Sequence, residues 1–240
     1  MSEPTISIIV SAYNEERYIG ACLDSIVRNG LGRFLEILVI DNASTDQTAQ
    51  VAAAFPGVRV IREDRRGVTR ARQRGFREAR GNLLAFVDAD TRIPTGWYNA
   101  ILEEFEKTPD LACLSGPYVY YDFSPGLSLL ASFYWNAIAI PTAWVVGYMA
   151  IAGNMVLPRT VLEQMGGFDT TIEFYGDDTD TARRAKAFGK VKFTSRFFLY
   201  SSGRRFFNQG FLKTVYLYIS AFIVGALSHK PLSSTHKNFR

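Results

Sequence analysis

Acidic residues follow two short apolar runs of this sequence, at positions where they could do chemistry. Asp41 comes after the run LEILVI, and Asp88 and Asp90 come after the run LLAFV. Residues two apart in an extended chain point to the same side, so Asp88 and Asp90 could share one divalent cation. Carboxylates bind Mg²⁺ or Mn²⁺ together with phosphate oxygens. The alternative is that these aspartates only form turns, and their place after buried strands favours the metal site.

A second acidic cluster precedes a predicted helix. Asp177, Asp178 and Asp180 lie within four positions after Gly176. One aspartate is enough to cap a helix N-terminus, at about 1 kcal/mol, and three carboxylates so close together repel one another. An enzyme that removes a proton from an acceptor hydroxyl needs a carboxylate in such a position. The cluster therefore favours a general base over plain helix capping.

Strand-like and helical patterns alternate over the first 95 residues. The predicted strands are residues 5–10, 35–40, 58–61 and 83–87, and the predicted helices are residues 16–29, 44–54 and 67–79. This alternation predicts a mostly parallel, Rossmann-type sheet that is covered by helices on both faces. Ligands of such sheets bind at the carboxyl ends of the strands, where Asp41, Asp88 and Asp90 lie. The spacing Ser44-x-x-Gln47 also predicts a capping box at the second helix.

The second part of the chain is less regular. Residues 111–121 are strand-like, and residues 158–165 and 178–188 predict short helices. We therefore expect an α/β fold in which a nucleotide-binding half, at about residues 1–95, is followed by an acceptor half, at about residues 96–193. These two halves together form the predicted catalytic domain.

Two apolar stretches lie in the second part of the chain. Residues 123–158 contain no charged side chain, and residues 211–227 form a second apolar run that Lys213 interrupts. Three interpretations of the first stretch stay open: a membrane span, a membrane-facing or lipid-acceptor surface, and buried helices. The second stretch is short for a span and predicts an interfacial helix. Residues 194–240 are thus predicted to be a basic extension with a membrane-associated, apolar helix.

Charge is distributed unevenly along the 240 residues. The net charge is +4, yet residues 181–240 hold twelve Lys or Arg and no acidic residue. Such a segment attracts an anionic partner, for example phosphate or an acidic membrane surface. The two cysteines and the polar first residues predict a reducing, cytoplasmic compartment. We expect the protein to lie there, at the inner face of the membrane.

Several other kinds of site are excluded by missing patterns. The chain has no G-x-x-x-x-G-K-[ST] loop and no G-x-S-x-G motif, and its two histidines lie near the C-terminus. A Walker-type phosphate loop, a Ser-His-Asp triad and a histidine-rich zinc site are therefore not expected. Nine arginines lie between residues 59 and 80, without an interleaved aromatic stacking motif. We therefore expect no nucleic-acid partner, although arginines near Gly67 could reach a diphosphate.

Taken together, the motifs resemble those of family 2 glycosyltransferases with the GT-A fold. The resemblance covers about residues 5–193 and depends on the order of seven segments. These are Ile8-Ile-Val-Ser-Ala-Tyr-Asn-Glu15, Val39-Ile-Asp-Asn-Ala-Ser-Thr-Asp46, Gly67-x-x-x-Ala-Arg72 with Gly75, Phe86-Val-Asp-Ala-Asp90, Gly153-Asn154, Gly166-Gly-Phe-Asp169 and Asp177-Asp-x-Asp180. The chain departs from the family in having Asp177-Asp178 where the family has Glu-Asp. The Gln-x-x-Arg-Trp signature of processive synthases is absent, so a single sugar transfer is expected.

The resemblance implies a role for each candidate residue. The implied donor-binding residues are Ser11, Tyr13, Glu15, Asp41, Arg72, Asp88 and Ala89. The implied ligands of a divalent cation, Mn²⁺ or Mg²⁺, are Asp90 and Asp88. Asp178 is the implied catalytic base, with Asp177 next to it in the acidic pair. We also expect Arg204 and Arg205 to contact the diphosphate or the acceptor.

The implied function is an inverting, metal-dependent transfer of one sugar from a nucleotide-diphosphate sugar to an acceptor hydroxyl. The expected acceptor is a glycan, either lipid-linked or part of the cell envelope. Two other interpretations stay open. A sugar-1-phosphate nucleotidyltransferase would need a Gly-rich, Arg-containing loop after the first strand, where this chain has Ser11-Ala-Tyr-Asn-Glu. A membrane-surface binding protein with a degenerate site would have no need to retain four carboxylates together, namely Asp41, Asp88, Asp90 and Asp178.

Overall fold

A seven-stranded sheet forms the centre of the molecule in the computed structural model, which describes residues 3–30, 32–172, 176–210, 213–215, 217 and 220. Its strands are β1 (Ile6–Ala12), β2 (Glu36–Asp41), β3 (Val58–Arg62), β4 (Leu83–Asp88), β6 (Leu111–Ser115), β8 (Asn154–Pro158) and β9 (Lys190–Phe193). A smaller sheet contains β5 (Thr91–Arg92), β7 (Tyr118–Tyr120) and β10 (Leu199–Ser201).

Helices cover the large sheet on both faces. They are α1 (Ile19–Gly30), α2 (Thr48–Ala53), α3 (Val68–Glu78), α4 (Trp97–Lys107), α5 (Pro125–Phe133), α6 (Ile140–Val146), α7 (Arg159–Met165), α8 (Asp177–Ala185) and α9 (Arg204–Gln209). A π-helical turn, Tyr134–Ala139, joins α5 to α6 without a break, and a 3₁₀ turn, Lys186–Phe188, follows α8. The predicted α/β architecture is confirmed.

The strand order of the large sheet is β3-β2-β1-β4-β8-β6-β9. The first four of these strands are parallel, and β8 runs antiparallel between β4 and β6. In this register Ser11 pairs with Ile40 on one side and with Asp88 on the other. The predicted strand ends therefore meet at one edge of the sheet, as parallel strands require.

The core has two layers, one on each face of the sheet. Ile8 and Val10 point to the face that α1, α2 and α4 cover, whereas Ile9 points to the face of α3, α7 and α8. This alternation follows from the two-residue period of a strand. The central strands are buried on both faces, which explains why their sequences are almost continuously apolar.

Two local predictions are wrong. The second helix begins at Thr48 rather than at residue 44, and its N-cap Gln47 makes no capping hydrogen bond with its side chain. Ser44 instead accepts a hydrogen bond from the Asn14 backbone N–H, at 3.0 Å, so it ties two strand-end loops together. The predicted third helix, by contrast, is confirmed: it spans Val68–Glu78 and ends before Gly81, which lies against the backbone of Ser7 where a Cβ would not fit.

The uncharged stretch forms a surface helix. Pro125–Val146 is one helix of 22 residues, and it is long and apolar enough to cross a membrane, judged by length and composition alone. Only 11% of its most apolar part is buried inside the molecule. The interpretation as buried helices is therefore wrong for these residues. The uncharged stretch also contains β8, a strand of the large sheet that was not predicted.

The smaller sheet brings distant segments beside the main one. The central strand, β10, pairs antiparallel with β5 and parallel with β7. Phe197 and Leu199 are fully buried in the core. The described residues after 193 thus pack on the domain, although the sequence places them in a C-terminal extension. The predicted interfacial helix at 211–227 lies mostly outside the described residues.

Candidate functional site

A cavity of about 930 Å³ lies at the carboxyl ends of β1 and β4. One wall consists of the loops that follow these strands, together with the start of α3 and of α8. The opposite wall consists of the helix Pro125–Val146, and α9 lies at the rim. The predicted residues that line the cavity are Ser11, Tyr13, Glu15, Arg72, Asp88, Ala89, Asp90, Asp177, Asp178, Arg204 and Arg205.

Asp41 is the one predicted residue that does not line the cavity. Its carboxylate is buried behind Asn42 and accepts a hydrogen bond from Arg62, at 3.0 Å, and from the Ser44 backbone N–H, at 3.2 Å. Asn42, which follows it, does line the cavity. The Asn42 side chain accepts from the Gly67 N–H, at 2.8 Å, and so fixes the start of α3.

A buried guanidinium connects the two acidic motifs. Arg72 of α3 is 4% exposed, contacts Asp177, and donates to Asp88 at 3.1 Å. The Asp88 carboxylate also accepts from the Tyr118 hydroxyl at 3.3 Å. A buried charge without a partner costs free energy of folding. The contacts of Arg72 with Asp88 and Asp177 therefore keep all three side chains in place. The structure thus brings together motifs that are about 90 residues apart in the sequence.

Backbone packing at Gly153 places the chain directly against this cluster. A Cβ at Gly153 would overlap both the Asp88 carboxylate and the Tyr118 hydroxyl. Tyr118 is not recognisable as a site residue from the sequence, because a lone tyrosine in a strand-like run carries no chemical signal. Gly153 belongs to the Gly153-Asn154 pair of the resemblance, and the close approach gives a physical reason for a glycine there.

The acidic pair lies in the first turn of α8. Burial and the neighbouring Asp177 raise the pKa of Asp178 to about 7, although hydrogen bonds from Thr179 oppose this. Burial also raises the pKa of Asp177, and the charge of Arg72 works against the rise. A carboxylate that titrates near neutral pH is suited to accept a proton from a hydroxyl group.

Asp90 lines the cavity just after β4, which ends at Asp88. Burial raises the pKa of Asp90 to about 6, while the charge of Arg204 lowers it and nearby Glu15 raises it. Arg204 joins these two acids, at 2.9 Å from Asp90 and 2.5 Å from Glu15. Its guanidinium also lies 4.4 Å from the ring centre of Tyr18. Arg204, which was predicted to contact the diphosphate, thus pairs with Glu15 and Asp90.

The donor set fits a hard divalent cation that phosphates help to bind. In the described part of the chain, no three His, Cys, Asp or Glu side chains are placed to hold a metal by themselves. Sites for Mg²⁺ or Mn²⁺ next to phosphates commonly use only one or two carboxylates. Asp88 and Asp90 offer these oxygens, and a bound cation would favour the ionised form of Asp90, whose pKa burial raises.

Comparison with known sequences gives a consistent result. The sequence model described as "Glycosyl transferase family 2" matches residues 7–166. EpsJ of Bacillus subtilis (strain 168), which is called an uncharacterized glycosyltransferase, is 32% identical over 108 residues. These are 43% of this chain and 31% of EpsJ, so the match spans about a third of that relative.

Solved structures share the fold. The mannosyltransferase PcManGT from Pyrobaculum calidifontis, in complex with GDP-Man and Mn²⁺, has a TM-score of 0.68 and 21% identity, over 93% of this chain and 65% of its own. Residues 1–349 of TarS from S. aureus, in complex with UDP-GlcNAc, have a TM-score of 0.67 and 18% identity, over 83% of this chain and 59% of theirs. The predicted GT-A-like fold is therefore confirmed.

The family match covers more than half of the chain and begins in β1, the first strand of the cavity wall. It includes Ser11, Asp88 and Asp90, and it ends at Gly166, before the acidic pair of α8. The resemblance noted in the sequence is confirmed, and the chain belongs to glycosyl transferase family 2.

Proposed function

We propose that this protein is an inverting glycosyltransferase that moves one sugar from a nucleotide-diphosphate sugar to an acceptor hydroxyl. The observation that carries the proposal is the shared cavity. Asp178, whose pKa is raised to about 7, lines the same space as Asp88 and Asp90. A proton acceptor and a place for a charged leaving group therefore lie together, as group transfer requires.

The proposed donor is a nucleotide-diphosphate sugar. The site supports this through residues at and after the end of β1: Ser11 and Glu15 line the cavity, and the Arg66 guanidinium lies 4.2 Å from the centre of the Tyr13 ring. The described complexes of PcManGT with GDP-Man and of TarS with UDP-GlcNAc point to the same class of ligand. Asp41 would act indirectly, by holding the loop that presents Asn42.

A divalent cation at Asp90 and Asp88 would neutralise charge on the diphosphate and so improve it as a leaving group. Arg204 and Arg205 line the same side of the cavity. When a diphosphate arrives, Arg204 can exchange the carboxylates of Glu15 and Asp90 for phosphate oxygens, since a guanidinium binds either group in the same forked geometry. The chain thereby supplies positive charge where the leaving group forms.

The proposed acid–base step takes place at α8. Asp178 accepts the proton of the acceptor hydroxyl, whose oxygen attacks the anomeric carbon on the side opposite the diphosphate and inverts it. Arg72 holds Asp177 beside the base and also holds Asp88, so that donor and base keep a fixed spacing. Such positioning, together with charge stabilisation of the leaving group, accounts for most of the rate in reactions of this type.

The two rival functions are less well supported. A nucleotidyltransferase has no use for a near-neutral carboxylate at Asp178, because its nucleophile is a phosphate that is already ionised. A degenerate binding protein would have no need of a proton acceptor, Asp178, in the same cavity as Asp88 and Asp90. We place the enzyme in the cytoplasm, at the inner face of the membrane.

The test separates donor binding from transfer. Asp178→Asn keeps the size of the side chain but cannot accept the proton, so nucleotide binding persists while transfer is lost. Asp180→Asn is the matched control, because Asp180 lies on the same turn of α8, pairs with Arg183 at 2.7 Å, and does not line the cavity. Binding is measured as the rise in melting temperature with UDP, GDP, CDP, TDP or ADP, each with and without Mn²⁺.

Transfer is measured as release of the nucleotide diphosphate from the donor that the panel identifies. Normal turnover by Asp178→Asn would remove Asp178 as the base. Failure of every nucleotide to stabilise the wild-type protein, with or without Mn²⁺, would overturn the proposed function itself.

A further inference from the structure

The helix Pro125–Val146 presents an unusual apolar surface. The five most exposed large apolar side chains among the described residues all lie on it: Leu129, Leu130, Phe133, Trp144 and Val145. Trp144 is 77% exposed and Val145 is 88% exposed. Contiguous apolar surface of this kind marks a place where a soluble domain contacts something else.

The opposite face of the same helix lines the cavity. Leu127, Tyr134 and Thr142 face the space that also contains Asp178. Leu130 and Ile138 are exposed to solvent and line the cavity as well. The apolar surface is therefore continuous from the outside of the molecule into the site.

The helix lies along the domain rather than leading away from it. Its cavity-lining residues run from Leu127 to Thr142, a length of about 22 Å at 1.5 Å per residue. Phe123, before the helix, and Met149, after it, line the same cavity. A helix that crosses a bilayer would separate these two flanking segments by the thickness of the membrane. This helix is therefore suited to lie in the plane of an interface.

Charge distinguishes a lipid surface from other apolar partners. Residues 123–158 carry no charge at all. At the end of α6 the Lys186 ammonium lies 3.6 Å from the position of a Cβ on Gly147, and Lys186 is exposed. At the other end Phe123 packs against Phe206 of α9, which follows Arg204 and Arg205. An uncharged strip with exposed Lys186 at one end, in a chain whose residues 181–240 hold twelve Lys or Arg and no acid, complements anionic headgroups above acyl chains.

We propose that the helix Pro125–Val146 docks on an anionic lipid bilayer and that the acceptor is a lipid of that bilayer. The exposed face, with Trp144 and Val145, enters the acyl boundary. The polar head of the acceptor then reaches Asp178 through the cavity, while its hydrocarbon chain leaves along Leu130 and Ile138. The choice of acceptor rests on the proposed function, whereas the docking surface does not.

The first measurement is binding of the full chain to vesicles. One set contains phosphatidylcholine and phosphatidylglycerol, and the other contains phosphatidylcholine alone. We expect flotation with the anionic set at low salt, accompanied by a blue shift of tryptophan emission. Trp144→Phe is the control for the shift, because it keeps an apolar ring and removes the exposed indole, whereas Trp97 is buried in the core and Trp135 lines the cavity.

The second measurement uses the double variant Trp144→Ser/Val145→Ser. Neither residue lines the cavity, and both are exposed, so the fold and the nucleotide site are unaffected. Loss of this apolar area weakens vesicle binding at least about tenfold. Val27→Ser, an exposed apolar position on α1, is the matched control and leaves binding unchanged.

The outcomes separate docking from catalysis. Absence of flotation, or equal flotation of the wild type and the double variant, overturns the docking surface. A wild-type dimer that the double variant makes monomeric, without flotation, assigns the helix to a second copy and also overturns it. Flotation in a protein that no nucleotide stabilises supports the docking surface and refutes the proposed function. Transfer to soluble glycans only, by a protein that binds both nucleotide and vesicles, refutes the lipid acceptor.

Discussion

Replacing Arg72 with Met should destabilise the protein strongly. Arg72 is buried between Asp88 and Asp177, and methionine keeps most of the apolar stem while it removes the charge. The variant leaves two carboxylates at the cavity wall without their shared cation. Breaking a buried ion pair in this way costs about 3–5 kcal/mol of unfolding free energy.

The expected size of the effect in a melting experiment follows from chain length. For a protein of this size, 1 kcal/mol corresponds to about 2–4 °C, so Arg72→Met lowers the melting temperature by roughly 10 °C. Arg74→Met is the matched control on the same helix. Arg74 is 40% exposed and pairs with Glu78 at 3.0 Å, one turn away. Such an exposed pair contributes less than about 1 kcal/mol to stability, so the melting temperature of Arg74→Met should differ little from that of the wild type.

The pH dependence of the Arg72→Met deficit gives the sharper test. Arg72 lowers the pKa of Asp177 and Asp178, so its removal raises both values further in the folded state. Protonation of the carboxylates then removes the buried charge. The difference in melting temperature between wild type and variant should therefore shrink as the pH falls toward about 5. Equal shifts for Arg72→Met and Arg74→Met, or a deficit that does not change with pH, would refute this reasoning.

Three further results are expected. Gly153→Ala should lose nucleotide-induced stabilisation, because its Cβ overlaps Asp88 and Tyr118, whereas Gly126→Ala, with open space around it, should retain it. The folded state raises the pKa of Asp178 to about 7 and of Asp90 to about 6, so without ligands the melting temperature should fall as the pH rises from about 5 to about 8. A melting temperature that rises over this pH range would contradict the raised pKa values of Asp178 and Asp90. Transfer should stop when the divalent cation is chelated and return when Mn²⁺ is added, and unchanged transfer with chelator would exclude the metal.

The nucleotide half could be predicted well from the sequence because its signals are local. Asp41 and Asp88 each come directly after a short apolar run and form the last residue of a strand. Parallel pairing then requires these ends to meet at one edge. The contact between Arg72 and Asp177 could not be derived in the same way, since it joins segments 105 residues apart and depends on how α3 and α8 pack.

The acceptor half was harder to predict for a physical reason. Residues 123–158 are uniformly uncharged, so no change of hydrophobic period marks where the helix Pro125–Val146 ends and β8 begins. The capping-box prediction failed because Ser44 has a tertiary partner, Asn14, that competes with the helix end. The pairing of Arg204 with Glu15 could not be predicted either, because these residues are 189 positions apart in the sequence.

The small sheet is complete only after β10, the last of its three strands in the sequence, has been synthesised. β10 pairs with β5 and with β7, which do not pair with each other. Until residues 199–201 leave the ribosome, the strand that carries Tyr118 has no partner in this sheet. A nascent chain can therefore close most of its parallel core, with Arg72 already beside Asp88, while Tyr118 is not yet held beside the same carboxylate. Activity should therefore appear during translation later than the bulk of the secondary structure.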